Sequence, residues 1–208
     1  MLITSVVKKG SLVAIELDKN EEIKIVYDIF VKNGLRKNDE LSKDDIDRLL
    51  RENDLYRVKQ TALNLLARRL HSEREIRDKL YRKKIPSDII NETISFLKEK
   101  EYLNDKEFAR CFVEEKINRR KMGLSNIKAH LIKKGVSREI IESETAKHQN
   151  NAALLKNALE QAAKKNNFLS LKNLEPAEKK LKLYGFLKNK GYSHDIIYSV
   201  LEKMDLSD

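Results

Sequence analysis

Cysteine, proline and glycine are nearly missing from this chain, with one, two and six residues. Cys111 alone can form neither an internal disulfide nor a multi-thiolate metal site, and it reads as a small core residue. So few prolines and glycines exclude collagen-like and low-complexity classes and long flexible linkers. Gln, Ser and Pro tracts of the disordered kind are also lacking. No apolar run reaches the ~18–20 residues of a membrane span. Met1–Ser5 carries no basic segment followed by an apolar stretch, which predicts no signal peptide. These absences together predict a cytoplasmic protein.

Catalytic constellations are missing too. There is no Gly-rich phosphate loop and no nucleophile elbow. His71, His130, His148 and His194 stand apart from one another and from Cys111, without the spacing of zinc ligands. Asp and Glu fall at helix starts and on solvated faces. The expectation is a non-enzymatic protein with no catalytic residue, no metal site and no cofactor.

What the chain does have is charge, 37% of its 208 residues, with a net of +10. Residues 1–54 hold 10 basic and 12 acidic side chains, whereas 55–208 hold 33 and 21. All the excess positive charge therefore follows residue 54. It is concentrated at +9 in 55–150 and falls to +3 in 151–208, which has no Arg. A polyanion is the natural partner and nucleic acid the commonest one. The plain alternative is a solvated Lys-rich surface.

The first thirty-odd residues are short β-branched runs, Ile3–Val7, Leu12–Leu17 and Glu22–Tyr27. Lys9-Gly10-Ser11 and Asp18-Lys19-Asn20-Glu21 separate them, the pattern of a hairpin or three-stranded meander. Ile29, Phe30, Val31 and Leu35 suit a short helix around Gly34. Ser42, followed by Asp44 and Asp45, reads as another helix start with Ile46, Leu49 and Leu50 on its apolar face.

From Leu55 the 3.6-residue period takes over, with Leu55, Val58, Ala62, Leu65, Leu66 and Leu70 on one face. Ser72 and Glu75 form a capping box ahead of Ile76 and Leu80. Pro86 breaks the helix and Ser87 is expected to cap the next, with Ile89, Ile90, Ile94 and Leu97 inward. The unit then recurs. Leu80–Ile90 aligns without gaps with Leu131–Ile141 and Leu187–Ile197, on the pattern L-x-x-K-[KG]-apolar-[PS]-x-[DE]-I-I. Each copy ends a helix on Leu, places Lys in its last turn, offers Gly135 or Gly191 for a left-handed turn, and returns Ile-Ile to the core. Asn104 is expected to cap repeat two, with Phe108 and Phe112 inward, and Ser125 its second helix. Repeat three is expected to begin near Asn151. A longer polar linker follows over Lys164–Glu175, and Pro176 opens the next helix. Internal repetition outweighs any single motif here.

The fold expected is mainly α: three tandem three-helix repeats behind a small β-rich extension. The division is 1–54 for the extension, with its short helix, then 55–103, 104–150 and 151–208 for the repeats. The candidate binding residues are cations at matching helix ends. Arg68 and Arg69 match Arg119 and Arg120, followed by Lys121; Arg82, Lys83 and Lys84 match Lys133 and Lys134. If successive repeats stack with a constant rotation, like positions form a stripe along a phosphate backbone. For any one of them the bland account is dipole compensation or a local ion pair. Tyr56, Tyr81, Tyr102, Tyr192 and Phe108 lie among basic residues and could stack on bases, though core or rim positions suit most of them.

Ala62–Leu80, with its A-L-x-L-L-A-R-R-x-x-S-x-x-E-I-x-x-K-L frame, resembles the signature of the RecX family. So do Leu97–Ala109, Arg119-Arg120-Lys121-Met122-Gly123, and the run from Ile127 to Val136. The resemblance covers about residues 55–205. It implies three three-helix repeats in an elongated, curved arrangement, acting as a monomer in the groove of the RecA–single-stranded DNA filament. There such proteins modulate, usually inhibiting, ATP hydrolysis, strand exchange and co-protease activity, within DNA repair, recombination and the SOS response. It also implies contact with single-stranded and double-stranded DNA. The Arg-free third repeat departs from the pattern and suits a protein contact instead. A helix-turn-helix DNA-binding regulator and a protein-only helical adaptor remain the alternatives.

Overall fold

The computed structural model describes residues 1–18, 21–150, 152–172 and 174–204. Lys19 and Asn20 of the expected second turn, and Asn151 at the expected start of repeat three, lie outside the described residues. Ten helices and one antiparallel sheet are present among those described.

The sheet is the meander anticipated, β1 (Ile3–Lys9), β2 (Leu12–Leu17) and β3 (Glu22–Val26) in spatial order β1-β2-β3. Val13 pairs with Ile25 and Ile15 with Ile23, so their apolar side chains share one face. A sheet of three strands depends on a covered apolar face. That face packs on Ile29 of α1 (Tyr27–Lys32) and on Ile46 and Leu49 of α2 (Lys43–Leu66).

Helix α2 departs from the sequence reading. The start at Ser42 and the apolar face from Leu55 belong to one continuous helix, opened by a capping box between Ser42 and Asp45. The polar stretch between them conceals Asn53, which is only 2% exposed. Its Oδ1 accepts from Val26 N at 2.8 Å and so satisfies the end of β3. Because α2 stops at Leu66, Leu70 is left outside the core, 43% exposed.

The chain divides into two compact units, Met1–Leu70 with Ile76–Leu103, and His71–Glu75 with Asn104–Asp208. In unit 1 the second half of α2 packs with α3 (Glu73–Arg82) and α4 (Ser87–Glu99) around Val58, Ala62, Ile76, Leu80, Ile90, Ile94 and Leu97. Ser72 and Glu75 make the expected capping box. Ser87 does not cap α4: it is the first helical residue, and Pro86 holds the cap position without a side-chain bond.

In unit 2, α5 (Asp105–Asn118), α6 (Leu124–Lys133) and α7 (Arg138–Ala146) form repeat two. Repeat three is α8 (Ala152–Ser170), α9 (Pro176–Asn189) and α10 (His194–Lys203). One core runs through both, including Val113, Ile127, Leu131, Leu154, Ala158, Leu183, Leu187 and Val200. Each large apolar side chain among them stabilises by about 1.5–3 kcal/mol when fully buried. Asn104 caps α5 and Pro176 opens α9, as the sequence suggests. The linker expected over Lys164–Glu175 is shorter, because α8 extends to Ser170. Ser125 is not the cap of α6. Gly123 takes that position and offers no side chain.

Candidate nucleic-acid interface

The missing cap at Gly123 is replaced by a carbonyl cradle from the next repeat. Gly123 N donates to Lys190 O at 2.9 Å and Ser125 N to Gly191 O at 3.1 Å. Asn126 Nδ2 donates to Asn189 O at 2.8 Å. The start of α6 thus sits on the turn that ends α9, each satisfying the other's orphan groups. The approach is so close that a Cβ on Gly123 would lie 2.1 Å from Gly191 C.

The matching turn at the end of α6 is covered in a related way. Ser72 Oγ donates to Lys134 O at 2.7 Å, and Lys134 Nζ pairs with Glu75 Oε1 at 2.5 Å. The Arg74 side chain lies over Gly135, where an added Cβ would come within 2.6 Å of it. Gly135 and Gly191 adopt φ of +77° and +86°, the left-handed region that glycine enters without penalty.

Against this frame the candidate cations separate into two groups. Lys121 and Lys134 are committed internally. Lys121 pairs with Glu160, and its carbonyl accepts from Gln161 and from the Tyr192 hydroxyl at 2.7 Å. The Lys121 ammonium holds the Glu160 carboxyl below its usual range. Lys134, besides its bond to Glu75, lies 5.5 Å from the ring centroid of Phe112. Arg69 donates to its neighbour Leu70 O at 2.8 Å.

The others point outward. Arg68 follows α2 and Arg119 and Arg120 follow α5, all exposed. Arg82 closes α3, Lys83 and Lys84 form the turn beyond it, and Lys133 closes α6. These seven make no ion pair among the described residues. In unit 1, Lys83 and Lys84 line a cleft of about 480 Å³ together with Arg57, Asp54 and Thr61. Arg57 is a cation that the sequence pattern did not single out. Nothing in its spacing separates it from an ordinary exposed helix residue, and only the fold brings it beside the turn.

The aromatic candidates divide likewise. Phe108 and Tyr192 are buried, each 4% exposed. Burial pushes the Tyr192 hydroxyl up to about 12. Tyr56 donates to Asp28, while Tyr81 and Tyr102 are exposed. Repeat three holds a ring cluster with no motif in the sequence. Tyr184, His194 and Tyr198 have centroids 4.5–6.2 Å apart. They line an open cleft of about 420 Å³ with Leu181, which is 71% exposed.

Among the described residues no group of three or more His, Cys, Asp or Glu could hold a metal. Among the described residues no helix is long and apolar enough to cross a membrane.

Three three-helix domains behind a small antiparallel sheet, with arginines and lysines at matching helix ends, define a basic helical-repeat protein. Comparison with known proteins makes the class specific. Family profiles for the first, second and third three-helix domains of RecX match residues 59–97, 104–143 and 153–201. A protein of Clostridium botulinum (strain Eklund 17B / Type B) called "Regulatory protein RecX" is 33% identical, over 90% of this chain and 87% of its own. One of the same name from Clostridium perfringens (strain SM101 / Type A) is 30% identical over 85% and 82%. The crystal structure of a regulatory protein RecX superposes with a TM-score of 0.79 at 19% identity, covering 97% of this chain and 98% of that one. RecX from Lactobacillus salivarius gives 0.67 at 29% identity over 75% and 99%. The chain belongs to the RecX family of regulatory proteins.

Proposed function

We propose that this protein is a non-enzymatic modulator, in the main an inhibitor, of the RecA recombinase. It binds as a monomer in the groove of the RecA–single-stranded DNA filament and alters ATP hydrolysis, strand exchange and co-protease activity, in the cytoplasm. The observation that supports this best is the set of exposed cations that make no ion pair among the described residues, at corresponding sequence positions of repeats one and two. Arg68 corresponds to Arg119 and Arg82 to Lys133, at the ends of first and second helices. A polyanion suits such a set, and the electrostatic part of its affinity is released counterion. Within this reading repeat three takes the protein side of the filament. In support, it has no Arg, and its ring-lined cleft carries the exposed Leu181.

The deciding measurement is RecA ATPase on single-stranded DNA with added protein. Replacing Arg119 and Arg120 together by Glu is expected to weaken inhibition at least tenfold while the circular dichroism spectrum stays helical. Full inhibition by that variant would reject the cationic interface. Leu181→Glu is expected to weaken inhibition without changing affinity for free oligonucleotide.

A further inference from the structure

The turn that follows the second helix occurs three times, and in unit 1 its environment is unlike the other two. In unit 2 both copies are covered, one by Ser72 and Arg74, the other by Gly123 and Asn126. Among the described residues no donor reaches the carbonyls of Lys83 or Lys84 in the copy within unit 1. That turn lines the cleft of about 480 Å³ instead.

Two further features say what the cleft suits. Lys84 stands where the other copies have glycine, and it adopts the same left-handed backbone, at φ +60°. A lysine there is strained and, being exposed, gains no packing in return. Its Cβ also fills the space that Arg74 takes over Gly135, at 2.6 Å from an added Cβ, and Asn126 over Gly191, also at 2.6 Å. A protein segment docked as in unit 2 is therefore excluded. A small ligand is not. Arg57, Lys83 and Lys84 all line the cleft, all are exposed, and none forms an ion pair among the described residues. Asp54 is the one carboxylate among the described lining residues. Three cations against one anion in a concave surface favour a compact polyanionic group. Arg57 offers a planar donor fork to phosphate oxygens, and the lysines act as point charges beside it.

We propose that this cleft is a phosphate site. On the nucleic-acid reading above, which this inference deepens, its ligand is a phosphodiester of the bound strand. The position of Lys84 makes the test unusually sharp, because Lys84→Gly relieves strain and removes a ligand in one step.

The full chain and its Lys84→Gly, Arg57→Gln and Lys43→Gln variants would be titrated with a thymidine oligonucleotide at several salt concentrations. Lys43 is an exposed control at the start of α2. Lys84→Gly and Arg57→Gln are each expected to lower affinity about three- to tenfold. Each should also flatten the slope of log K against log salt by about 0.7. Lys84→Gly should raise the thermal midpoint at the same time, and Lys43→Gln should change neither slope nor midpoint. A second arm follows the amide resonances of Lys84 and Ile85 as inorganic phosphate is added to the full chain, with shifts expected that Arg57→Gln removes.

Oligonucleotide affinity and salt slope unchanged in Lys84→Gly would overturn the site and leave the broader reading standing. If filament inhibition falls in that variant without loss of oligonucleotide affinity, the cleft belongs to an acidic protein surface and the proposal fails. Failure of the unsubstituted protein to bind oligonucleotide, with Arg57-dependent phosphate shifts intact, would uphold the phosphate site and defeat the nucleic-acid reading.

Discussion

The turn after the second helix carries glycine and a covering segment in repeats two and three, but lysine and an open cleft in repeat one. In unit 2 the backbone of that turn is a binding surface for the protein itself. Lys134 O, Lys190 O and Gly191 O all accept from residues of another helix start. In unit 1 no donor among the described residues reaches the carbonyls of Lys83 or Lys84, and the exposed side chains carry the charge. The difference teaches that one sequence motif does two jobs. Glycine at this position marks a turn that something else lies upon, and a side chain there marks a free one. Repeats two and three share a single core. Repeat one instead has a core of its own in unit 1.

The hardest way to break the comparison is to add one methyl group. Gly123→Ala places a Cβ 2.1 Å from the backbone of Gly191, where no side chain can swing aside. Overpacking a well-packed contact costs about 1–3 kcal/mol, and a rigid backbone partner belongs at or above the top of that range. Chemical denaturation should show a loss of about 3 kcal/mol or more. Gly135→Ala is expected to cost less, about 1–3 kcal/mol, since its obstacle is the Arg74 side chain. A variant of Gly123 as stable as the parent would dissolve the distinction between covered and open turns.

Next in size is the tie between Lys121 and Tyr192. Tyr192→Phe deletes the 2.7 Å bond to Lys121 O and should cost about 1 kcal/mol, the usual net worth of such a bond. It also changes the alkaline limb. The folded state holds the Tyr192 proton up to about 12, beyond the pH at which an unfolded tyrosine loses it. Its contribution is complete below the ordinary tyrosine range and is lost as pH rises through that range towards 12. The phenylalanine variant should lose less stability across that interval, and an absorbance titration should lack one late-ionising tyrosine.

Lys84→Gly should move stability the other way. Removing a side chain from a left-handed position gains roughly 1 kcal/mol, less the extra freedom glycine gives the unfolded chain. A rise of a few tenths of a kcal/mol is expected, against the loss expected at Gly135. Opposite signs at aligned positions of one motif are the sharpest form of the comparison.

Much of this was legible in the sequence, and what was not has a common physical cause. The strands, the three-helix units, the caps at Ser42, Ser72 and Asn104 and the left-handed glycines are local, and local pattern reveals them. The continuity of α2 was hidden because Asn53 looks like surface yet spends its amide oxygen on β3. Ser125 looks like the cap of α6, but the partner of that helix start is a turn far along the chain. Lys121 and Lys134 read as free helix-end cations, while their carboxylates lie 39 and 59 residues away. Arg57 is illegible in the sequence for the converse reason, since its cleft exists only once α2 lies beside the turn. Sequence periodicity reports which face a residue is on, not what waits there.

The smallest expected effect concerns the start of repeat two, where Glu107 sits in the first turn of α5. The Arg110 guanidinium, and then the Cys111 thiol, hold its carboxyl down at about 2. A folded-state value below the unfolded one means that its contribution is present above the usual carboxylate range. It is lost as pH falls through that range to about 2. The pair is exposed and solvent-screened, so the effect is modest and should shrink with salt. Glu107→Gln should therefore lower the thermal midpoint slightly at neutral pH and leave it equal to the parent below pH 2. The test is a set of melts from pH 7 to pH 2 at low and high salt. A variant that tracks the parent at every pH would show that the Arg110 pair contributes nothing, leaving the Asn104 cap as what starts this helix.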